Sequence, residues 1–144
     1  MRCADTAQAT TNTSVLVVDD QKAMIGLIRS LLVDLGFQDI RDASDGTVAL
    51  EKLRTETFGL VLSDLYMEPV SGLDLLRTMR ADKKINTIPF VMITASAQPE
   101  TLTEARALGA NGYILKPFSI TTLRRTLAKV LGGFLTTGTA ERIG

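Results

Sequence analysis

Polar side chains follow four apolar segments of the sequence directly. Asp19 and Asp20 come after the first segment, and Asp64 ends the third. Thr94 follows the fourth segment and Lys116 follows the fifth. If these segments are strands of one parallel sheet, all five side chains stand at the edge where open α/β folds bind and transform ligands. The five residues are therefore the candidate site, with Asp64 as the candidate nucleophile.

Three carboxylates at one sheet edge repel one another. At roughly 4 Å and an effective dielectric of about 20, each pair costs on the order of 4 kcal/mol before screening. Lys116 supplies one compensating positive charge, and a divalent cation would supply more. The chain has no histidine and a single cysteine, so any metal must be bound by oxygen. A few carboxylates, with water and phosphate completing the shell, suit Mg²⁺ better than Ca²⁺.

A cation, a lysine and a threonine hydroxyl around one carboxylate form a site for phosphoryl transfer. The cation and Lys116 would neutralise charge on the phosphoryl oxygens, and Thr94 would donate a hydrogen bond to them. The carboxylate of Asp64 would attack phosphorus and become an acyl phosphate. Ala95, directly after Thr94, leaves room for that group.

The spacing of apolar residues predicts five strands, each followed by a helix. The predicted strands cover residues 14–18, 37–43, 60–64, 90–93 and 112–115. The predicted helices cover residues 21–35, 47–56, 73–80, 99–108 and 120–131. Strict alternation of this kind implies a parallel sheet with helices on both faces. The more polar second strand is expected at a sheet edge, and the fold class is a doubly wound five-stranded α/β domain.

Length and composition place this fold in a single domain. With 144 residues, we expect a leader over residues 1–13, one domain over 14–131 and a short tail over 132–144. Sixteen basic and sixteen acidic residues balance, which argues against a nucleic-acid-binding module. No apolar run reaches the roughly 18 residues of a membrane span, and the polar first residues do not resemble a signal peptide. We therefore expect a cytoplasmic protein that binds neither nucleic acid nor membrane.

The span from about Ser14 to Leu131 resembles the receiver domain of two-component response regulators, especially the single-domain, CheY-like kind. The matching motifs are Val-Val-Asp19-Asp20, Ser-Asp64 with Gly72 eight residues on, Thr94-Ala95, and Tyr113-Ile-Leu-Lys116-Pro117-Phe118. The resemblance implies a flavodoxin-like sheet with strand order 2-1-3-4-5. It also implies roles for individual residues.

By this resemblance Asp64 is the phosphoacceptor. Asp20 and Asp64 would ligate Mg²⁺ directly, together with the backbone carbonyl of Tyr66. Asp19 would act on the metal largely through water.

The resemblance assigns the phosphoryl oxygens to Lys116 and Thr94. Thr94 and Tyr113 resemble a switch pair, in which the hydroxyl moves toward the phosphate and the aromatic ring follows inward. The domain would then catalyse only its own phosphorylation and its own slow dephosphorylation, so it is not expected to be an enzyme.

The loop after the phosphoacceptor departs from the family pattern. The family usually has proline four residues after the phosphoacceptor, whereas here Glu68 holds that place and Pro69 follows. Our hypothesis is that Glu68 modifies the site by contacting Lys116 or the water shell of the metal in the unphosphorylated state. Tyr66 and Ser96 occupy positions that tune the lifetime of the acyl phosphate in the family.

The function implied is a stand-alone signalling switch. Its phosphoryl donor would be a sensor histidine kinase, a histidine phosphotransfer protein or acetyl phosphate. Its output would be contact with a downstream protein through the face that runs from Pro99 to Leu131. The sequence does not name the pathway.

Three alternatives are less favoured by the residues. The chain could be the receiver of a larger hybrid kinase or response regulator. A phosphatase of the haloacid dehalogenase type would need an Asp-x-Asp motif after the first strand, where this chain has Asp19-Asp20-Gln21-Lys22. In a flavodoxin-like electron carrier, two aspartates at this place would repel the flavin phosphate.

Overall fold

A computed structural model describes residues 13–95 and 98–132 of the chain. The predicted leader and tail therefore lie outside the described residues, except for residues 13 and 132. The strands are β1 Val15–Val18, β2 Ile40–Ala43, β3 Leu60–Asp64, β4 Phe90–Thr94 and β5 Gly112–Leu115. The helices are α1 Lys22–Asp34, α2 Gly46–Thr55, α3 Gly72–Ala81, α4 Pro99–Ala107 and α5 Ile120–Val130.

The five strands form one parallel sheet in the order β2-β1-β3-β4-β5, which confirms the predicted fold and places β2 at an edge. Val18 of β1 pairs with Ser63 of β3. The next residue along each chain segment is an aspartate, so Asp19 and Asp64 emerge side by side from the same edge of the sheet.

The three central strands, β1, β3 and β4, bury both of their faces. Leu16 and Val18 of β1 belong to a cluster formed with α2, α3 and one residue of α4. Val15 and Val17 belong to the opposite cluster, formed with α1 and α5. Because alternate side chains point to opposite faces and both faces are covered, the sequences of these central strands show continuous rather than alternating hydrophobicity.

The second strand is shorter than predicted. Phe37 was expected to begin it, but β2 begins at Ile40 and Phe37 belongs to the cap of α1. The N–H of Phe37 donates to the carbonyl of Leu32, and the N–H of Gly36 donates to that of Val33. Gly36 has φ of 104°, so this is a Schellman motif, in which an apolar residue after the glycine packs back on the helix. Phe37 is accordingly buried.

Side-chain caps fix the starts of three helices. Asp45 accepts hydrogen bonds from the N–H groups at the start of α2, and Ser71 and Ser119 do the same for α3 and α5. These caps determine where each chain segment leaves the sheet edge and enters a helix. In the part of the chain that the structure describes, no helix has both the length and the apolar character needed to cross a membrane.

Candidate functional site

The three predicted carboxylates meet at the carboxyl edge of the sheet. One oxygen from each of Asp19, Asp20 and Asp64 lies within 4.8 Å of the others. Asp19 is buried, Asp64 is partly buried and Asp20 is exposed. The cluster thus has a closed side and an open side, and it offers only oxygen ligands. Such a donor set fits a hard divalent cation that keeps part of its water shell.

Lys116 lies between two of these carboxylates. Its Nζ is 3.4 Å from Oδ2 of Asp19 and 3.4 Å from Oδ1 of Asp64, and its side chain is 15% exposed. Its backbone N–H donates to the carbonyl of Thr94 over 2.8 Å, which fixes the residue at the end of β5. Both side-chain contacts are longer than typical hydrogen bonds, so the ammonium is shared rather than committed to one carboxylate.

Short hydrogen bonds fix the orientation of the two inner carboxylates. Oδ1 of Asp19 accepts from the N–H of Gln21 over 2.9 Å, just before α1 begins. Oδ1 of Asp64 accepts from the N–H of Leu65 over 2.9 Å. Both bonds come from the residues that follow the strand ends, so the turns themselves hold the acids toward the site.

The pKa of the Asp64 carboxyl is raised above its usual value. Burial is the main cause, and the negative charge of Asp19 acts in the same direction. The charge of Lys116 and the N–H of Leu65 oppose the shift but do not cancel it. The effect of burial on this carboxyl therefore outweighs the stabilisation that Lys116 gives to its charged form.

Gly72 lies against the backbone of Asp64, the candidate nucleophile. The sequence motif includes this glycine but gives no physical reason for it. The N–H of Gly72 donates to the carbonyl of Leu65 over 2.8 Å. A Cβ at Gly72 would lie 2.3 Å from the carbonyl oxygen of Asp64 and 2.9 Å from the sulfur of Met92. No residue with a side chain fits there unless the backbone moves.

Thr94 and Tyr113 occupy one face of the sheet. Thr94 is buried at the end of β4 and pairs with Leu115 of β5. Tyr113 pairs with Met92, two residues before Thr94, so its side chain leaves the sheet on the side of Thr94. Tyr113 is 39% exposed and lines a cleft between α4 and α5. The structure thus holds Tyr113 in an outward position.

The open side of the cluster continues into a shallow cavity of about 240 Å³. Its lining includes Asp20, Tyr66 and Glu68. Tyr66 and Glu68 are both exposed. Among the described residues, the ion pairs of Lys116 are with the buried aspartates and not with Glu68. Of the two contacts predicted for Glu68, the one with Lys116 is not formed here, and the one with the metal's water shell stays a prediction.

Comparison with known proteins identifies the family. The model of the response regulator receiver domain matches residues 15–128. The chain belongs to this family. Chemotaxis protein CheY-3 of Vibrio cholerae is 42% identical over 119 residues, which are 83% of this chain and 92% of that protein. Chemotaxis protein CheY of Pseudomonas aeruginosa is 40% identical over 116 residues, 81% of this chain and 94% of that protein.

Solved receiver structures have the same fold. Chemotaxis protein CheY4 of Vibrio cholerae is 32% identical and superposes with a TM-score of 0.77, covering 82% of this chain and 98% of CheY4. The receiver domain of a sensor histidine kinase from Pseudomonas aeruginosa, which has a magnesium ion coordinated in its active-site cleft, is 25% identical with a TM-score of 0.76. The superposition covers 83% of this chain and 98% of that receiver domain.

The family assignment confirms the resemblance inferred from the motifs. The chain is a CheY-like receiver domain of two-component signalling. Domains of this kind are signalling switches and not enzymes in the usual sense. The phosphatase and electron-carrier alternatives are therefore excluded.

Proposed function

We propose that this receiver is a Mg²⁺-dependent switch that accepts a phosphoryl group on Asp64. The observation that carries the proposal is the shared ammonium of Lys116, 3.4 Å from both Asp19 and Asp64, in a cluster whose negative charge it does not balance. Such a cluster favours an additional cation and, with it, a ligand whose oxygens carry negative charge.

The reaction uses Asp64 as a nucleophile. One carboxylate oxygen forms a bond to phosphorus while the bond from phosphorus to the donor breaks, and the donor leaves with that electron pair. The N–H of Leu65 holds the carboxylate in place during the attack. Lys116 exchanges one of its long carboxylate contacts for a phosphoryl oxygen, and the hydroxyl of Thr94 turns toward another. Ala95 beside Thr94 is exposed and small, which leaves space for the group.

Asp20 and Asp64, with the backbone carbonyl of Tyr66, are the residues that would hold Mg²⁺, and Asp19 would contact it through water. When bound, the cation would supply positive charge to the carboxylates and to the phosphoryl oxygens. The oxygen-only donor set and the exposed side at Asp20 support this assignment. The related kinase receiver with magnesium in its cleft supports it independently.

The output surface lies on α4, β5 and α5, within the span from Pro99 to Leu131. A cleft of about 290 Å³ runs between the two helices, with Tyr113 in its wall. Arg106, Arg125 and Lys129 line this cleft, and none of the lining residues that the structure describes is acidic. These charges favour a target protein that presents carboxylates. After phosphorylation, Thr94 moves toward the phosphoryl group and the ring of Tyr113 turns inward, which reshapes the cleft.

The phosphoryl donor is a phosphohistidine of a sensor kinase or of a phosphotransfer protein, with acetyl phosphate as a small-molecule substitute. The same site would serve equally in a receiver that forms part of a larger kinase, as in the related kinase domain. The cytoplasmic location stays a prediction from the sequence.

Incubation of the protein with Mg²⁺ and acetyl phosphate tests the proposal. We expect intact-mass spectrometry to show one added phosphoryl group, which is lost in EDTA and absent from Asp64→Asn. Asp34→Asn, an exposed acid at the end of α1, is the control and should be labelled like the wild type. Undiminished labelling of Asp64→Asn would contradict the assignment of the nucleophile.

A further inference from the structure

Helix α4 has few buried side chains. Of the nine residues in Pro99–Ala107, only Ala105 is buried. Its N-cap residue, Gln98, forms no side-chain capping bond. Because burial supplies most of the stability of a short helix, the position of α4 must depend on other contacts.

Arg80, in the last turn of α3, provides such contacts at the far end of α4. Its Nε and Nη2 donate to the carbonyl of Gly109 over 3.3 and 2.9 Å. Nη2 also donates to the side chain of Asn111, and Nη1 donates to the carbonyls of Ile88 and Asn86. All five N–H donors of the guanidinium are thus used, three of them on the turn between α4 and β5.

The turn is built to receive this arginine. Gly109 has φ of 102°, and its N–H and that of Ala110 donate back to the last turn of α4 in a Schellman motif. A Cβ at Gly109 would lie 2.8 Å from Nε of Arg80, so a larger residue would displace the guanidinium. The positive charge also lies at the carboxyl end of α4, where the helix dipole favours it.

A second arginine of α3 reaches the middle of α4. Nη2 of Arg77 is 3.1 Å from Oε2 of Glu104, and Nη1 is 2.9 Å from Oδ1 of Asp74, which orients the guanidinium. All three side chains are exposed, so this contact is weaker than those of Arg80.

We propose that Arg80 is a positioning residue for the output surface. It fixes the carboxyl end of α4, and Arg77 provides a second and weaker tether. Asn111 accepts a hydrogen bond from the N–H of Phe90. Asn111 also lines the output cleft, so the turn that Arg80 holds is part of the cleft wall. The claim that these contacts position an output surface rests on the proposed function, whereas the contacts between α3 and α4 do not.

Amide hydrogen exchange of the full chain, unphosphorylated and in EDTA, tests the tether. In Arg80→Gln we expect amides of residues 105–112 to exchange about tenfold faster or more, since a charged donor set is lost. The exchange rates of amides in β3 should change only by the amount that a change in global stability causes. Arg54→Gln is the matched control, because Arg54 is exposed and its ion pair with Asp82 does not involve α4. A uniform change, or none, in Arg80→Gln would overturn the proposal.

Three further substitutions cover the case in which Arg80→Gln does not fold. Arg80→Lys keeps the positive charge but lacks the planar set of guanidinium N–H donors. Amides of residues 105–112 should therefore exchange at a rate between those of the wild type and Arg80→Gln. Arg77→Gln should accelerate exchange in residues 102–106 by about two- to fivefold. The double variant with Glu104→Gln should show no further acceleration, because both substitutions remove the same ion pair. Additive effects of these two would overturn the second tether.

Acetyl phosphate labelling separates this proposal from the proposed function. Arg80→Gln should be labelled at the wild-type rate, because Arg80 lies away from the carboxylates. Slower labelling would assign Arg80 to the reaction site and overturn its positioning role. Failure to label the wild type would overturn the proposed function and leave the exchange result standing.

Discussion

At the scale of single residues, the site depends on one ammonium shared by two acids. Lys116 reaches Asp19 and Asp64 at equal distances, and neither contact has ideal hydrogen-bond length. A lysine held in this way can move to a third oxygen at little cost. The arrangement therefore suits a residue that must exchange a carboxylate for a phosphoryl oxygen.

Glu68 adds a negative charge on the open side of the same site. It lines a cavity with Asp20, the exposed member of the cluster. If Glu68 contacts the water shell of the bound metal, Glu68→Gln should weaken Mg²⁺ binding by about two- to fivefold, as expected for an exposed charge. The fluorescence of Tyr66, which lines the same cavity, provides the titration signal.

Glu51→Gln is the control for this titration, since Glu51 is exposed on α2 away from the cavity. Equal affinities of the wild type and Glu68→Gln would show that Glu68 has no role at the metal.

At the scale of elements, the junction of β3 and α3 positions Asp64, the proposed nucleophile. The turn closes through the bond from the N–H of Gly72 to the carbonyl of Leu65, and Ser71 then caps α3. This close approach brings the start of α3 onto the carbonyl of Asp64. The start of α3 and the proposed phosphoacceptor Asp64 are therefore in direct contact at this junction.

Gly72→Ala should be destabilising because its Cβ has no space between Asp64 and Met92. Overpacking of this kind costs about 1–3 kcal/mol, which should lower the melting temperature by several degrees. The displaced junction should also slow labelling by acetyl phosphate. Thermal unfolding followed by circular dichroism measures the first effect, and mass spectrometry measures the second.

Gly26→Ala provides the matched control. Gly26 lies within α1, and a Cβ there would meet nothing within 4 Å. The same substitution should stabilise this helix by about 0.5–1 kcal/mol and leave labelling unchanged. Equal stability of Gly72→Ala and the wild type would contradict the steric account.

At the scale of the whole molecule, the topology concentrates charge at one edge. The polar groups after β1 and β3 converge because parallel strands end together, and only part of their charge is compensated by Lys116. Repulsion between these carboxylates therefore lowers the stability of the fold, and a bound cation would reduce this repulsion.

Asp64→Asn should accordingly raise the stability of the metal-free protein, on the order of 1 kcal/mol, the size of one partly solvated charge pair. The pKa of Asp64 in the folded state is raised above its usual value of 3.8. The native state therefore binds more protons than the unfolded state between these two pKa values, and the free energy of unfolding falls as pH rises through that window. The advantage of Asp64→Asn should grow as the pH rises above about 4 and stay constant once the pH exceeds the pKa of Asp64 in the folded state.

Thermal melts in EDTA at several pH values measure this advantage, with Glu51→Gln as an exposed control. Addition of Mg²⁺ should raise the melting temperature of the wild type more than that of Asp64→Asn. A wild type that is more stable than Asp64→Asn in EDTA at pH 7 would mean that the carboxylate has a structural role.

The elements, their order and the residues that meet at the carboxyl edge could all be predicted from the sequence. Strands buried on both faces require continuous apolar runs, and helices require their own period, so both are encoded locally. The polar residues at the strand ends then follow from the topology.

The contacts between these elements could not be predicted in this way. Lys116 contacts an acid 97 residues away, and Arg80 holds a carbonyl 29 residues away. Phe37 joined the cap of α1 rather than β2 because a glycine with positive φ reversed the chain before it. Such contacts depend on distances between segments that no local pattern contains, and they are what place Asp64, Gly72 and α4 relative to one another.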